Sequence, residues 1–217
     1  HPALVAATPE VREKVSMVLL DLMRRELLIH VKYLDNDYLS NTIKELSSQY
    51  LKAPWDIDEK EKLEFSGILF PRSKKERDFR GDFFMSSRSG FAQYLKRQNT
   101  FPDQAGTFDQ NDLESIIQGL LNFLAQCGYV EVVKPAANDE QVNGYQLAAH
   151  CIVWKAGDGS AVFHDPIRTP NVPKSRAANE FFVRFYKTTA SKLLGMEARE
   201  HTAQVQNEDR IEREKLF

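Results

Sequence analysis

Cysteine is nearly missing from this chain. Only Cys127 and Cys151 are present, one at an expected helix end and one inside an expected strand. Both sit in apolar sequence, so they read as two buried thiols of a reducing compartment, not as a disulfide framework. Long apolar runs are missing too. No stretch approaches the roughly 20 apolar residues that span a bilayer, and the first residues lack the charged-then-apolar order of an export signal. Neither sign of charge is in large excess: 29 Lys and Arg stand against 31 Asp and Glu. Bulk electrostatics therefore does not draw the chain to a polyanion, and any such role has to come from local clustering. These absences leave a cytoplasmic expectation without a membrane. What is present suffices for folding, since 217 residues at 42% apolar supply a core for one large domain or two small ones.

Residues 10–32 place Val11, Val15, Val18, Leu19, Leu22 and Ile29 at three- and four-residue steps, which predicts an amphipathic helix. A second helix is expected over 36–51, ending before Pro54, and the two read as a helical hairpin. The acidic stretch DIDEKEKLEF, capped by Asp56 or Asp58, suggests a short helix within 55–70. Residues 85–98 form a helical pattern with Phe91, Tyr94 and Leu95 on one side. Asp109 is a suitable N-cap for a helix running to Cys127, with Leu113, Ile116, Ile117, Leu120, Leu121 and Leu124 as its apolar face and Gly128 as its stop. Strands are expected at 129–133 and 144–154, joined by an exposed hairpin loop. A Pro-rich crossing over 164–175 reads as a linker. Another helix is expected over 177–194, then a short strand over 196–201.

Charge does cluster in one place. Between 72 and 97 lie Arg72, Lys74, Lys75, Arg77, Arg80, Arg88, Lys96 and Arg97 against Glu76, Asp78 and Asp82, eight basic minus three acidic, a local +5. Clustered cations of this kind gain affinity for a phosphate backbone by releasing condensed counterions, and Phe79, Phe83 and Phe84 among them offer rings on which unpaired bases can stack. The bland alternative is a solvated loop whose phenylalanines tuck it onto the core. By contrast, the outer face of the 109–127 helix carries Gln110, Asn111, Glu114, Ser115, Gln118 and Asn122 and no Arg or Lys, which argues against base-specific groove reading. Cys127, His150, Cys151 and His164 do not make a convincing zinc set, because neighbours in a strand face opposite ways. Glu197, Glu200 and His201 have no nucleophile or metal partner spaced to use them. No catalytic residue and no metal site is assigned.

The tail AREHTAQVQNEDRIEREKLF carries a charged helical pattern over 208–217 with no closing Gly, Asn or Pro, and His1 stands where an initiator Met is expected. The chain thus reads as a piece of a longer one. A helix, a glycine, then two strands joined by a polar hairpin is similar to the second half of a winged helix. His201 at a strand end, Arg210 nine residues on and Phe217 sixteen on look like the second RecA-like lobe of superfamily 2 helicases. The stretch from LLDLMRREL through PWDIDEKE, GYQL and NEFF to REHTAQV resembles a region of large bacterial DEAD/DEAH-box-type helicases, some of them linked to phage defence.

That resemblance implies an α+β, mainly helical fold: a winged-helix module with a two-stranded wing, plus the opening elements of an α/β RecA-like lobe. The implied divisions are a helical region over 1–71, a basic loop and winged-helix-like module over 72–157, a linker over 158–176, and a truncated start of the second lobe over 177–217. No G-x-x-x-x-G-K-[ST] loop and no Asp-Glu-x-His or Asp-Glu-Ala-Asp box occurs in the sequence. The expectation is therefore a segment that grips DNA beside flanking helicase lobes of the same chain. ATP and magnesium would be bound by the parent chain, with no cofactor in the segment itself, and protein partners in a defence complex are possible. The competing expectation is a winged-helix module that binds a protein and not DNA.

Overall fold

The computed structural model describes residues 1–52, 55–58, 60–79, 81–98, 100–101, 107–137, 141–156, 164–169, 179–189, 192 and 211. The chain divides into two units, His1–Ala156 with His164–Val172, and Gly157–Phe163 with Pro173–Phe217. The architecture is mixed α/β, rich in helix, with a small five-stranded mixed sheet.

In the first unit, α1 (Pro2–Ala6) leads into α2 (Pro9–Arg25). Thr8 caps α2 by accepting from the Val11 N–H, and Pro9 takes the first turn, where its missing N–H costs nothing. Val15, Leu19, Leu22 and Met23 are buried along one stripe. The helix stops well short of the expected residue 32. Leu27 adopts φ 55, its N–H bonds Arg24 O, and the Leu28 N–H bonds Met23 O at 2.8 Å, the hydrogen-bond pair of a left-handed C-terminal cap. A non-glycine residue there costs about 1 kcal/mol or more. Burial of Leu28 (1% exposed) and the bond from Leu147 N–H to Leu28 O at 2.7 Å compensate, because they turn the chain into β1 (Ile29–His30).

After a 3₁₀ turn at Lys32–Leu34, the helix expected over 36–51 is present as α3 (Asn36–Tyr38), a π turn (Leu39–Ile43) and α4 (Lys44–Tyr50). The acidic helix expected within 55–70 does not form among the described residues. Its backbone groups go to tertiary or turn partners instead: Ile57 N–H to Ser47 Oγ, Lys60 N–H to Asp58 Oδ1, and Ser66 N–H to Leu34 O. The chain then enters β2 (Leu69–Phe70), loops, and returns as β3 (Phe83–Phe84), parallel to β2.

Ser89 caps α5 (Gly90–Leu95), which is shorter than the expected 85–98 but buries the expected Phe91, Tyr94 and Leu95. α6 (Gln110–Gln126) begins at a reciprocal capping box between Asp109 and Asp112, and all six expected apolar residues are buried. Each such side chain contributes about 1.5–3 kcal/mol. Gly128 ends the helix at φ 79, as the sequence indicates. The hairpin β4 (Val130–Lys134) and β5 (Gly144–Ala148) follows. β5 is central: β4 lies antiparallel on one edge, and β1 (parallel, Ile29↔Leu147) and β2 (antiparallel, Leu69↔Tyr145) share the other.

The second expected strand thus stops at Ala148, where a 3₁₀ turn (Ala149–Cys151) replaces it. Neither cysteine is buried in apolar surroundings as expected: Cys127, the C-cap of α6, is exposed, and Cys151, in that turn, is half-buried with its thiol donating to Gly128 O. Both are free.

Residues 164–169 pack within the first unit. Arg25 bonds Asp165 at 2.6 Å and Asp21 at 2.9 Å, Arg97 donates to the carbonyls of Pro166 and Ile167, and Arg168 pairs with Glu26. In the second unit, α7 (Glu180–Thr189) is the described helix of the expected 177–194, with Phe181, Phe182 and Tyr186 exposed on it. The strand expected over 196–201 and the residues His201, Arg210 and Phe217 lie outside the described residues. Among the described residues no helix is long and apolar enough to cross a membrane.

Candidate nucleic-acid interface

The basic cluster begins as the connection between two parallel neighbours, β2 and β3, so the chain has to leave the sheet and come back alongside itself. Close approach makes this possible. A Cβ on Gly67 would lie 2.2 Å from Gly81 O, so only glycine lets the returning arm pass. Within the loop, Arg72 forms a two-pronged bond to Asp78, Nη1 to Oδ2 at 2.6 Å and Nη2 to Oδ1 at 2.8 Å, and the Lys75 N–H donates to Asp78 Oδ2 at 2.6 Å. The guanidinium lies 5.3 Å from the Phe70 ring and 5.0 Å from that of Phe84, and those rings stack on each other at 5.7 Å. The Arg72 bond, helped by the Lys75 N–H, holds the Asp78 carboxyl well below the ordinary carboxylate range.

Arg72 is thus a clamp, and its charge is already matched. The clamp closes the loop at its base and leaves Lys74, Lys75 and Arg77 pointing to solvent. Lys75 and Arg77 line a cleft of about 420 Å³ together with Phe70, Phe79, Asp82 and Lys134, Gln141 and Val142 of the β4–β5 hairpin. The Lys74 ammonium stands 5.8 Å from the Phe84 ring, and that of Lys134 stands 5.5 Å from Phe70. Asp82 lies partly buried, which raises its pKa, and its Oδ1 accepts from the Ile68 N–H.

The other members of the cluster divide. Arg88 is exposed in the turn before α5, and Lys96 is half-buried at the end of that helix; neither lines the cleft. Arg97 spends its guanidinium on the carbonyls of Pro166 and Ile167 and lies over Tyr94. Arg80 falls outside the described residues. Reasoning from sequence missed Lys134. Its signal is positional: as the last residue of β4 it pairs with Gly144 and so stands where the hairpin loop leaves the sheet.

The outer face of α6 is partly engaged as well. Glu114 accepts from Ser87 Oγ at 3.0 Å, and Asn122 accepts from the Tyr145 hydroxyl at 2.6 Å. These groups hold the helix to its neighbours and supply no cation.

Acid is expected to weaken both the loop clamp and the packing of the 164–169 segment. Burial alone would raise the Asp165 pKa, but the N–H groups of Ile167 and Arg168 and the Arg25 guanidinium outweigh it and lower the value. For a carboxyl whose folded pKa is depressed, the stabilisation is fully present above the unfolded value of about 3.9 and is lost as pH falls through the folded value. Thermal unfolding followed at a series of pH values should therefore show a steep loss of stability below about pH 4. The Asp165→Asn variant should be less stable at neutral pH and show a shallower acid limb. An identical acid limb in that variant would contradict the assignment.

Comparison with protein-family models, with curated proteins and with solved structures finds no match for this chain.

Proposed function

We propose that this chain is the DNA-handling segment of an ATP-dependent superfamily 2 helicase, built around a winged-helix module. The element order supports the module: α2, β2, α5, α6, β4 and β5 run in winged-helix sequence, with β2 and β4 antiparallel on either side of β5. Residues 28–68 are then an insertion between the first helix and the first strand. ATP and magnesium belong to motor lobes of the parent chain, and the part taken by His201, Arg210 and Phe217 in the second lobe rests on the resemblance alone.

One observation carries the DNA reading. The Arg72–Asp78 clamp presents Lys74, Lys75 and Arg77 on a loop facing Lys134 of the wing. Such cations neutralise phosphates and gain free energy from released counterions, without reading sequence. The cation-free face of α6 fits that role, because base-specific recognition in the major groove draws chiefly on Arg and Lys. The same face also favours the second reading, a surface for a protein partner, since Phe123 and Tyr129 are exposed at its end.

Titration of labelled single-stranded and duplex oligonucleotides by fluorescence anisotropy separates the two readings. The proposal expects binding that weakens steeply between about 50 and 200 mM salt and depends little on sequence. Absence of binding to either probe at low salt would favour the protein-partner reading.

A further inference from the structure

The basic cleft does not end at Phe79. Beyond that ring lies a second groove of about 810 Å³, bordered by His30, Lys32 and Phe65, which shares Phe79, Asp82 and Lys134 with the first. Phe79 therefore borders both and stands where the two adjoining clefts meet. Phe79 is 57% exposed, although its ring has an aromatic neighbour: Phe65 lies 5.9 Å away, tilted by 39°. The other phenylalanines of the loop region are occupied, since Phe84 stacks on Phe70 beneath Arg72 and Phe83 packs against the core.

We infer that the two clefts together take a single strand of nucleic acid, with an unpaired base stacked on Phe79 and its flanking phosphates held by Lys75, Arg77 and Lys134. The inference rests on the DNA-handling reading and narrows it. A duplex keeps the faces of its bases inside its own stack and meets the protein with phosphates and groove edges. A ring at the junction of two clefts is useful only to a base already free of its partner. Of the carboxylates along the clefts, Asp78 is charge-matched by Arg72 and Asp82 has Lys134 as its cationic neighbour, whereas Asp35 accepts only the Tyr38 N–H and stays exposed at the far end. The amide of Gln146, which could otherwise read a base edge, is committed to Ser66 and Gly67. Recognition is accordingly tolerant of sequence, as stacking on an aromatic face is.

The test compares three labelled probes of equal length at low salt: oligo-dT, an abasic single strand and a blunt duplex. Phe79→Ala is expected to weaken oligo-dT binding by about 5- to 150-fold, to leave the abasic strand and the duplex within about twofold of the parent protein, and Phe79→Trp to restore the loss. Equal losses on all three probes would mean that Phe79 only supports the loop, and this would overturn the inference, as would an unchanged affinity for oligo-dT. If the unsubstituted protein bound the abasic strand and the duplex but gained nothing from bases, the stacking inference would fail while the DNA-handling reading stood. Failure to bind any of the three would overturn both.

Discussion

Gly67→Ala is expected to lower the melting temperature and to weaken nucleic-acid binding together, although residue 67 carries no charge and is buried beneath the loop. The added methyl would lie 2.2 Å from Gly81 O, 3.2 Å from Gly81 C and 3.3 Å from Leu28 Cδ2. Two of these are backbone atoms, so no side chain can swing away to make room. The two strands of chain at the root of the loop have to separate. Forcing extra volume into a packed site costs about 1–3 kcal/mol and occasionally more, and in a protein of this size each kcal/mol lowers the melting temperature by about 2–4 °C. The affected arm leads from Phe79 to β3, and Asp82 on it receives the Ile68 N–H. Displacing it opens the clefts that Phe79 and Lys134 border. Gly119→Ala is the control: a Cβ there meets only the His1 backbone nitrogen, at 3.9 Å, and alanine in a helix interior is favoured over glycine by about 0.5–1 kcal/mol. If Gly67→Ala behaved like Gly119→Ala, the close packing of 67 against 81 would be refuted.

The largest effect on binding is expected from the Lys74→Ala, Lys75→Ala, Arg77→Ala triple variant. All three side chains are exposed and make none of the bonds that shape the loop; the clamp uses Arg72 and the backbone of Lys75. The variant should keep its thermal stability, since surface substitutions away from structural features usually change it by about 0.5 kcal/mol or less. Removing three phosphate contacts should lower the magnitude of the slope of log K against log salt by about 2 for a single strand and somewhat more for duplex. Arg72→Ala would be a poor substitute, because it strands Asp78 and loosens the loop at once. Arg97→Ala would be as uninformative, since that side chain ties residues 164–169 to α5. An unchanged salt slope in the triple variant would remove the loop from the binding account.

Two helix ends show what can and cannot be read from sequence here. α6 and α2 finish with the same pair of backbone bonds around a residue of positive φ. At Gly128 the letter announces the conformation. At Leu27 it does not, because a distant strand, β5, supplies the reason for the turn. Local signals likewise predicted Asp109, the α6 stripe and the hairpin, all of which depend on neighbours in sequence. The short acidic helix expected within 55–70 does not form among the described residues, where Ile57 and Ser66 bond Ser47 and Leu34, partners that no local pattern reveals. The site divides in the same way. A run of cations is visible as composition, but which are spent on internal bonds is a tertiary fact. Arg72 and Arg97 look no different in sequence from Lys75 and Arg77, and Lys134 joins them only through the register of the β4–β5 hairpin.

On the proposed function, polyanions are held between the 72–79 loop and the base of the β4–β5 hairpin. The most direct measurement is a set of ¹H–¹⁵N correlation spectra recorded as a single-stranded oligonucleotide is added. The account predicts that the perturbed amides concentrate at residues 74–79, at Lys134 and at Gln141 and Val142, and that the exposed face of α6 stays unperturbed. Perturbations centred on Gln118, Asn122 and Phe123, or none at saturating oligonucleotide, would contradict it.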